Sequence, residues 1–156
     1  MVNTVPSFKG LQPASATSSK AKRANKRSDT QHEMLLRREL WRMGLRYRKN
    51  VDSLPGKPDI VFASAKVVVF CDGDFWHGRN WSELSAKLRQ GSNADYWQAK
   101  IKGNMDRDQR NSALLEGDGW LVIRLWETDI KKDVADAAHR IARIVEQRRM
   151  RVDKQS

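Results

Sequence analysis

The sequence predicts an α/β domain built around a small mixed sheet flanked by helices, and three observations carry that prediction. Residues 66–71 and 120–126, reading "KVVVFC" and "WLVIRLW", are short and almost wholly apolar, the pattern of strands buried on both faces. Residues 93–116 lie between them and place Trp97, Ile101 and Met105 at helical spacing. Further helical patterns stand at either end, so the order is α-β-β-α-β-α, and this alternation builds sheets covered by helices.

Order begins at Thr30, because Thr30-Gln31-His32-Glu33 fits a capping box, in which side chain and backbone satisfy each other's free groups at a helix start. Leu36, Leu40 and Met43 then form the inward stripe, Glu33 falls on the same stripe, and Gly44 ends the helix. Residues 53–59, "SLPGKPD", form a turn, since two prolines and a glycine forbid helix and interrupt ladder pairing. Residues 59–63 and 66–71 follow as a strand pair. Residues 78–93 read as a polar loop carrying a short helix near 82–88, and Gly117 and Gly119 stop the long helix before the strand at 120–126. A last amphipathic helix over 133–150 runs through Val134, Ala138, Ile141 and Val145.

The chain divides into a basic tail at 1–28, one domain at 29–150 and a short C-terminal tail at 151–156. The 156 residues carry a net charge of +11, and residues 1–28 hold six basic side chains (Lys9, Lys20, Lys22, Arg23, Lys26 and Arg27) with no acidic one. With few large apolar groups, that tail cannot offset its chain entropy and is expected to be disordered when free. Its charge points to a polyanion, nucleic acid first. The single cysteine, Cys71, excludes an intrachain disulfide and a cysteine-rich zinc cluster, and reads as a small buried strand residue. No apolar run reaches the roughly eighteen residues of a membrane span, and the N-terminus lacks a secretory core, so a cytoplasmic protein away from membranes is expected.

The stretch Val67 to Gly78, "VVVFCDGDFWHG", ends a buried strand in acids, aromatics and a histidine, a mixture no core requires. Asp59, Asp72 and Asp74 offer the hard oxygen donors that Mg²⁺ takes. Asp59 as a turn residue after Pro58, and Asp72-Gly73 as a simple tight turn, stand beside that reading. His77 has the chemistry of a base for water or an acid for a leaving oxygen, and equally that of a packed surface residue. Phe75 and Trp76 suit stacking on or wedging between bases, or a small core under the 78–93 loop. Lys100, Asn104, Arg107 and Asn111 form a polar stripe on the long helix, able to line a phosphate backbone or simply to meet solvent.

Together these residues resemble the very short patch repair (Vsr) DNA mismatch endonucleases, a branch of the PD-(D/E)XK superfamily. The resemblance runs over residues 30–127 and is carried by "DT..E", "SLPGKPDIVF", "VVFCDGDFWHG", "YW..KI.GNM.RD" and "GWLVIRLWE". It implies a three-layer restriction-endonuclease-like domain that uses Mg²⁺ to nick one strand of double-stranded DNA beside a T·G mismatch. By the same resemblance Asp59 is the metal-binding aspartate, Cys71 supplies a backbone carbonyl to the metal, and His77 is the catalytic histidine. Glu33 orients a metal-bound water or the histidine. Phe75, Trp76 and Trp97 wedge into the duplex, and Lys100 and Asn104 lie on the helix facing DNA; Arg107, from the polar stripe, is expected to meet DNA beside them.

The chain also departs from the family pattern. Asp72 stands where a second active-site histidine is usual, adding a potential catalytic and metal-binding carboxylate. The positions that carry structural zinc ligands in the best-known members hold Asp74, Arg79, Trp81 and Thr128 here, so no structural zinc is expected and packing, through Trp81, should hold the loop instead. The basic segment "KAKRANKR" can grip phosphates through Lys22, Arg23, Lys26 and Arg27 but offers no large apolar wedge. The expected partners are duplex DNA and mismatch-repair proteins, bound by a monomer that joins the nucleoid when on DNA. The rivals are a restriction- or homing-type nuclease without mismatch preference, a DNA-binding relative that has lost catalysis, and a structural RNA-binding protein.

Overall fold

The computed structural model describes residues 29–155. The basic tail and its four phosphate-gripping candidates, Lys22, Arg23, Lys26 and Arg27, lie outside the described residues. Helix α1 (Gln31–Arg42) leads into β1 (Arg48–Lys49) and β2 (Ile60–Phe62), then, after a single 3-10 turn, β3 (Val67–Asp72). Helices α2 (Trp81–Arg89) and α3 (Ala94–Gly117) form the crossover to β4 (Leu121–Trp126), and α4 (Glu127–Lys132) and α5 (Val134–Gln155) complete the chain. The four strands lie in sequence order; β1, β2 and β3 pair antiparallel and β3 pairs parallel with β4. The sheet is therefore mixed, as expected.

Strand alternation creates the layers. Val67, Val69 and Cys71 point from β3 into a core shared with Leu36 and Leu40 of α1, Ile130 of α4 and Ala138, Ile141 and Val145 of α5. Val68 and Phe70 point the other way and meet Val61 and Leu115 of α3. Each fully buried valine removes apolar surface worth roughly 1.5–3 kcal/mol, so a one-residue slip of β3 would expose both cores and is strongly disfavoured. Asp72 is the last residue of this strand and follows Phe70 onto the α3 face.

Three local features went beyond the sequence pattern. The two exposed residues of β1, Arg48 and Lys49, form a short charged edge that resists further pairing. The six residues of α4 contain one apolar anchor, Ile130, too little for a helical period. Residues 151–155, expected as a tail, continue α5. Among the described residues no helix is long and apolar enough to cross a membrane.

Candidate active site

The capping box at the start of α1 carries Glu33 into the protein. Thr30 Oγ1 accepts the Glu33 N–H, while the Thr30 N–H donates to Glu33 Oε2 at 2.6 Å, and the glutamate is only 2% exposed. Asp59 lies immediately before β2. Its own N–H donates to the Val69 carbonyl, and its Oδ2 accepts the Cys71 N–H at 2.6 Å. Its carboxyl also meets that of Glu33. Burial, followed by the hydrogen bond and charge of Glu33, pushes the Asp59 pKa up to about 9 against the opposing Cys71 N–H, and the Asp72 charge adds to the rise. Capping and a place in the site are thus compatible roles for Glu33.

His32 was not singled out by sequence reasoning, yet it is 4% exposed and its Nε2–H donates to the Cys71 carbonyl at 3.2 Å. Its Nδ1 lies 3.4 Å from Glu127 Oε2. The Cys71 thiol is buried and burial raises its pKa well above the usual thiol value, which suits a packed side chain and not a nucleophile. Two touching carboxyls that repel when both ionised, beside a backbone carbonyl, form an all-oxygen donor set that fits a hard divalent cation. Asp59 and the Cys71 carbonyl are the groups that would hold it, with the Glu33 carboxyl against Asp59.

On the α3 face of the same strand end, His77 Nδ1–H donates to Asp108 Oδ2 at 2.5 Å and lies 3.8 Å from Asp72 Oδ1. Burial alone would lower the His77 pKa, but the Asp108 hydrogen bond and the charges of Asp72 and Asp108 outweigh it and raise the value. Asp72 is 5% exposed; burial raises its pKa, while His77 and Arg124 oppose that shift. Both Asp72 oxygens lie 3.2 Å from Arg124 Nη1. Asp108 and Arg124 were missed in the sequence. An arginine inside an otherwise apolar strand was the available signal for the second.

The loop bearing His77 is fixed at several points. Gly78 adopts φ +73°, and a Cβ there would come within 2.3 Å of Met105 Sδ on α3. Asn104 donates its amide N–H to the Trp76 carbonyl at 2.9 Å, so this member of the polar stripe holds the loop. Asp74 accepts a short hydrogen bond from Thr128 Oγ1, and Arg79 reaches Asp129 Oδ1 at 3.1 Å and Asp74 Oδ1 at 3.8 Å. Three of the four positions compared with zinc ligands are thereby joined in a polar clasp. The fourth, Trp81, lines an open recess between α2 and α3 with Ser85, Gln98 and Lys102.

The aromatics form one group. Phe75 and Trp76 centroids are 5.1 Å apart, and each lies 5.7 Å from Trp97; Tyr96 extends the group. Phe75 is 37% exposed, so the group is part core and part surface. Lys100 is half-buried on α3 and Arg107 is exposed. All three expected wedge residues therefore stand together, beside the loop that carries the histidine.

Several known proteins are similar to this chain over most of its length. The family described as DNA mismatch endonuclease Vsr matches residues 13–83. A type II nicking enzyme of Neisseria meningitidis serogroup C is 40% identical over 126 residues, covering 81% of this chain and 84% of that protein. A type II nicking enzyme of Haemophilus parainfluenzae is 41% identical over 112 residues, covering 72% and 78%. The DNA mismatch endonuclease Vsr of Escherichia coli strain K12 is 34% identical over 116 residues, covering 74% of this chain and 72% of its own.

Proposed function

The chain belongs to the Vsr family of DNA mismatch endonucleases, and from that premise we propose that it nicks one strand of duplex DNA at T·G mismatches by Mg²⁺-dependent phosphodiester hydrolysis. The observation that carries the reading is the meeting of Glu33 and Asp59 at the Cys71 backbone, one residue before the strand turns toward His77. When bound there, Mg²⁺ supplies a Lewis acid for the phosphoryl oxygens and a more acidic water. Asp59 and the Cys71 carbonyl would hold it, and Glu33 would orient the attacking water.

His77 handles the proton. With Nδ1 engaged by Asp108, Nε2 is the nitrogen left for transfer, and the neighbouring carboxylates that raise its pKa favour the charged ring, suited to protonating the leaving oxygen. Phe75, Trp76 and Trp97 supply stacking surface at the duplex, and Lys100 and Arg107 supply positive charge on α3. A second reading, nicking without mismatch preference, is favoured by relatives whose names say only type II nicking enzyme.

One experiment separates these. Duplexes containing T·G or the matched pair are incubated in Mg²⁺ with the wild type, Asp59→Ala and His77→Ala. Preference for T·G by the wild type, with loss of cleavage in both variants, supports the proposal; equal cutting of both duplexes selects the second reading. Retained cleavage by Asp59→Ala would remove that residue from the metal site.

A further inference from the structure

Asp72, His77 and Asp108 place ligand atoms within 4.8 Å of one another, the spacing of a metal site. A cation already sits against them. Arg124 Nη1 lies 3.2 Å from each Asp72 oxygen and 3.8 Å from Asp108 Oδ1, Nη2–H donates to the Asp108 carbonyl at 3.0 Å, and Nε–H donates to Ser112 Oγ at 2.9 Å. Its Cζ stands 4.0 Å over the Phe70 ring. The guanidinium is held by α3 and β3 together, and a divalent ion at this trio would meet a positive charge at close range.

We propose that Arg124 is a positioning residue for His77: it clamps Asp72 and the Asp108 backbone so that the two carboxylates hold the imidazole, and Asp72 serves that clamp and not the metal. The register supports this. Arg124 pairs with Phe70, two residues before Asp72, so it emerges on the same sheet face as the carboxylate it grips. An unpaired arginine at mid-strand would be costly, and the planar fork is the cation geometry that engages a carboxylate through two oxygens while donating elsewhere. The inference rests on the proposed proton-transfer role of His77, and its test includes measurements that need no cleavage.

The variants are Arg124→Met, Arg124→Lys, Asp72→Asn and the double Asp72→Asn/Arg124→Met, which removes both charges and so protects folding. Arg124→Met is expected to lower kcat for nicking by about tenfold or more with KM for DNA nearly unchanged, with partial recovery in Arg124→Lys. The double variant should be no worse than the poorer single, because both act through one clamp. Mn²⁺ affinity of the free protein should survive Asp72→Asn and Arg124→Met but not Asp59→Asn, and the His77 ring nitrogen resonances should move in Arg124→Met. A weakened Mn²⁺ affinity in Asp72→Asn, multiplicative losses in the double variant, or unmoved His77 resonances would each overturn the proposal. If the wild type cuts no duplex, the nuclease reading fails, while the Mn²⁺ and resonance measurements still decide the placement of Arg124.

Discussion

Asp59 Oδ2 and the backbone nitrogen of Cys71 are 2.6 Å apart, so the carboxyl that rises to a pKa of about 9 is tied to the strand whose carbonyl is the neighbouring oxygen donor. Without a divalent ion the folded protein keeps Asp59 protonated at neutral pH, whereas the unfolded chain ionises it above its ordinary value of 3.8. Between those values the native state binds the extra proton, so this contribution is complete at acid pH and is lost as pH rises toward the folded pKa. In chelator, the thermal midpoint of the wild type should therefore fall from about pH 5 to about pH 9 more steeply than that of Asp59→Asn. Mg²⁺ should raise the wild-type midpoint at alkaline pH and leave the variant unmoved. Parallel pH profiles for the two proteins would contradict the assignment.

For His77 the sign is opposite in origin, since neighbouring carboxylates raise a basic group. An acid that protonates the leaving oxygen loses activity as pH climbs through its pKa. Asp108→Asn removes the strongest support, so the alkaline limb of the kcat profile should move to lower pH and the maximal rate should fall by about tenfold to a hundredfold. A limb that stays in place, with only the rate reduced, would assign Asp108 a structural role.

Much of this arrangement could be read from residues alone, and the limits have physical causes. Buried strands announce themselves by unbroken apolar runs, and the capping box fixed the start of α1. Asp59 and His77 stood out because acids and imidazoles beside a strand end have chemical consequences at any spacing, whereas Glu33 was a capping-box residue whose site role came from the family resemblance. Asp108 and Arg124 did not stand out, since one lies on a polar helix rich in charges and the other within a strand, and only the parallel β3–β4 register brings Arg124 to Asp72. His32 was hidden by its neighbours, because a capping box uses only Thr30 and Glu33 of the tetrad and places no demand on the residues between them. The clasp required partners fifty or more residues apart, Asp74 with Thr128 and Arg79 with Asp129, beyond the reach of local pattern.

The clasp predicts how the loop tolerates change. Arg79 also stands 5.8 Å over the Trp126 ring, so Arg79→Ala removes two ion pairs and a ring contact and should cost about 1 kcal/mol of stability, read from denaturant midpoints. A zinc-selective chelator should leave the wild-type midpoint unchanged. A drop on chelation would show that a metal shares this loop.

Gly78 gives a sharper result. Its positive φ disfavours any side chain, and the Met105 thioether lies where a methyl group would go. Gly78→Ala should cost about 2 kcal/mol or more and displace His77 next to it, lowering nicking beyond the loss of folded protein. Pairing it with Met105→Ala should recover stability by relieving the clash but leave the backbone strain. Full recovery would assign the whole effect to sterics.

The basic tail is expected to contribute through DNA phosphates. Lys22, Arg23, Lys26 and Arg27 cluster within six residues, and each phosphate neutralised on duplex DNA steepens the log–log dependence of affinity on salt by about 0.9. Removing residues 1–27 should flatten that slope by up to about 3–4, with the larger affinity loss at low salt. Discrimination between T·G and matched duplexes should change little, because phosphate contacts carry no base identity and the exposed aromatic at Phe75 remains. An unchanged slope would separate the tail from DNA, and a collapse of discrimination would instead place it at the mismatch.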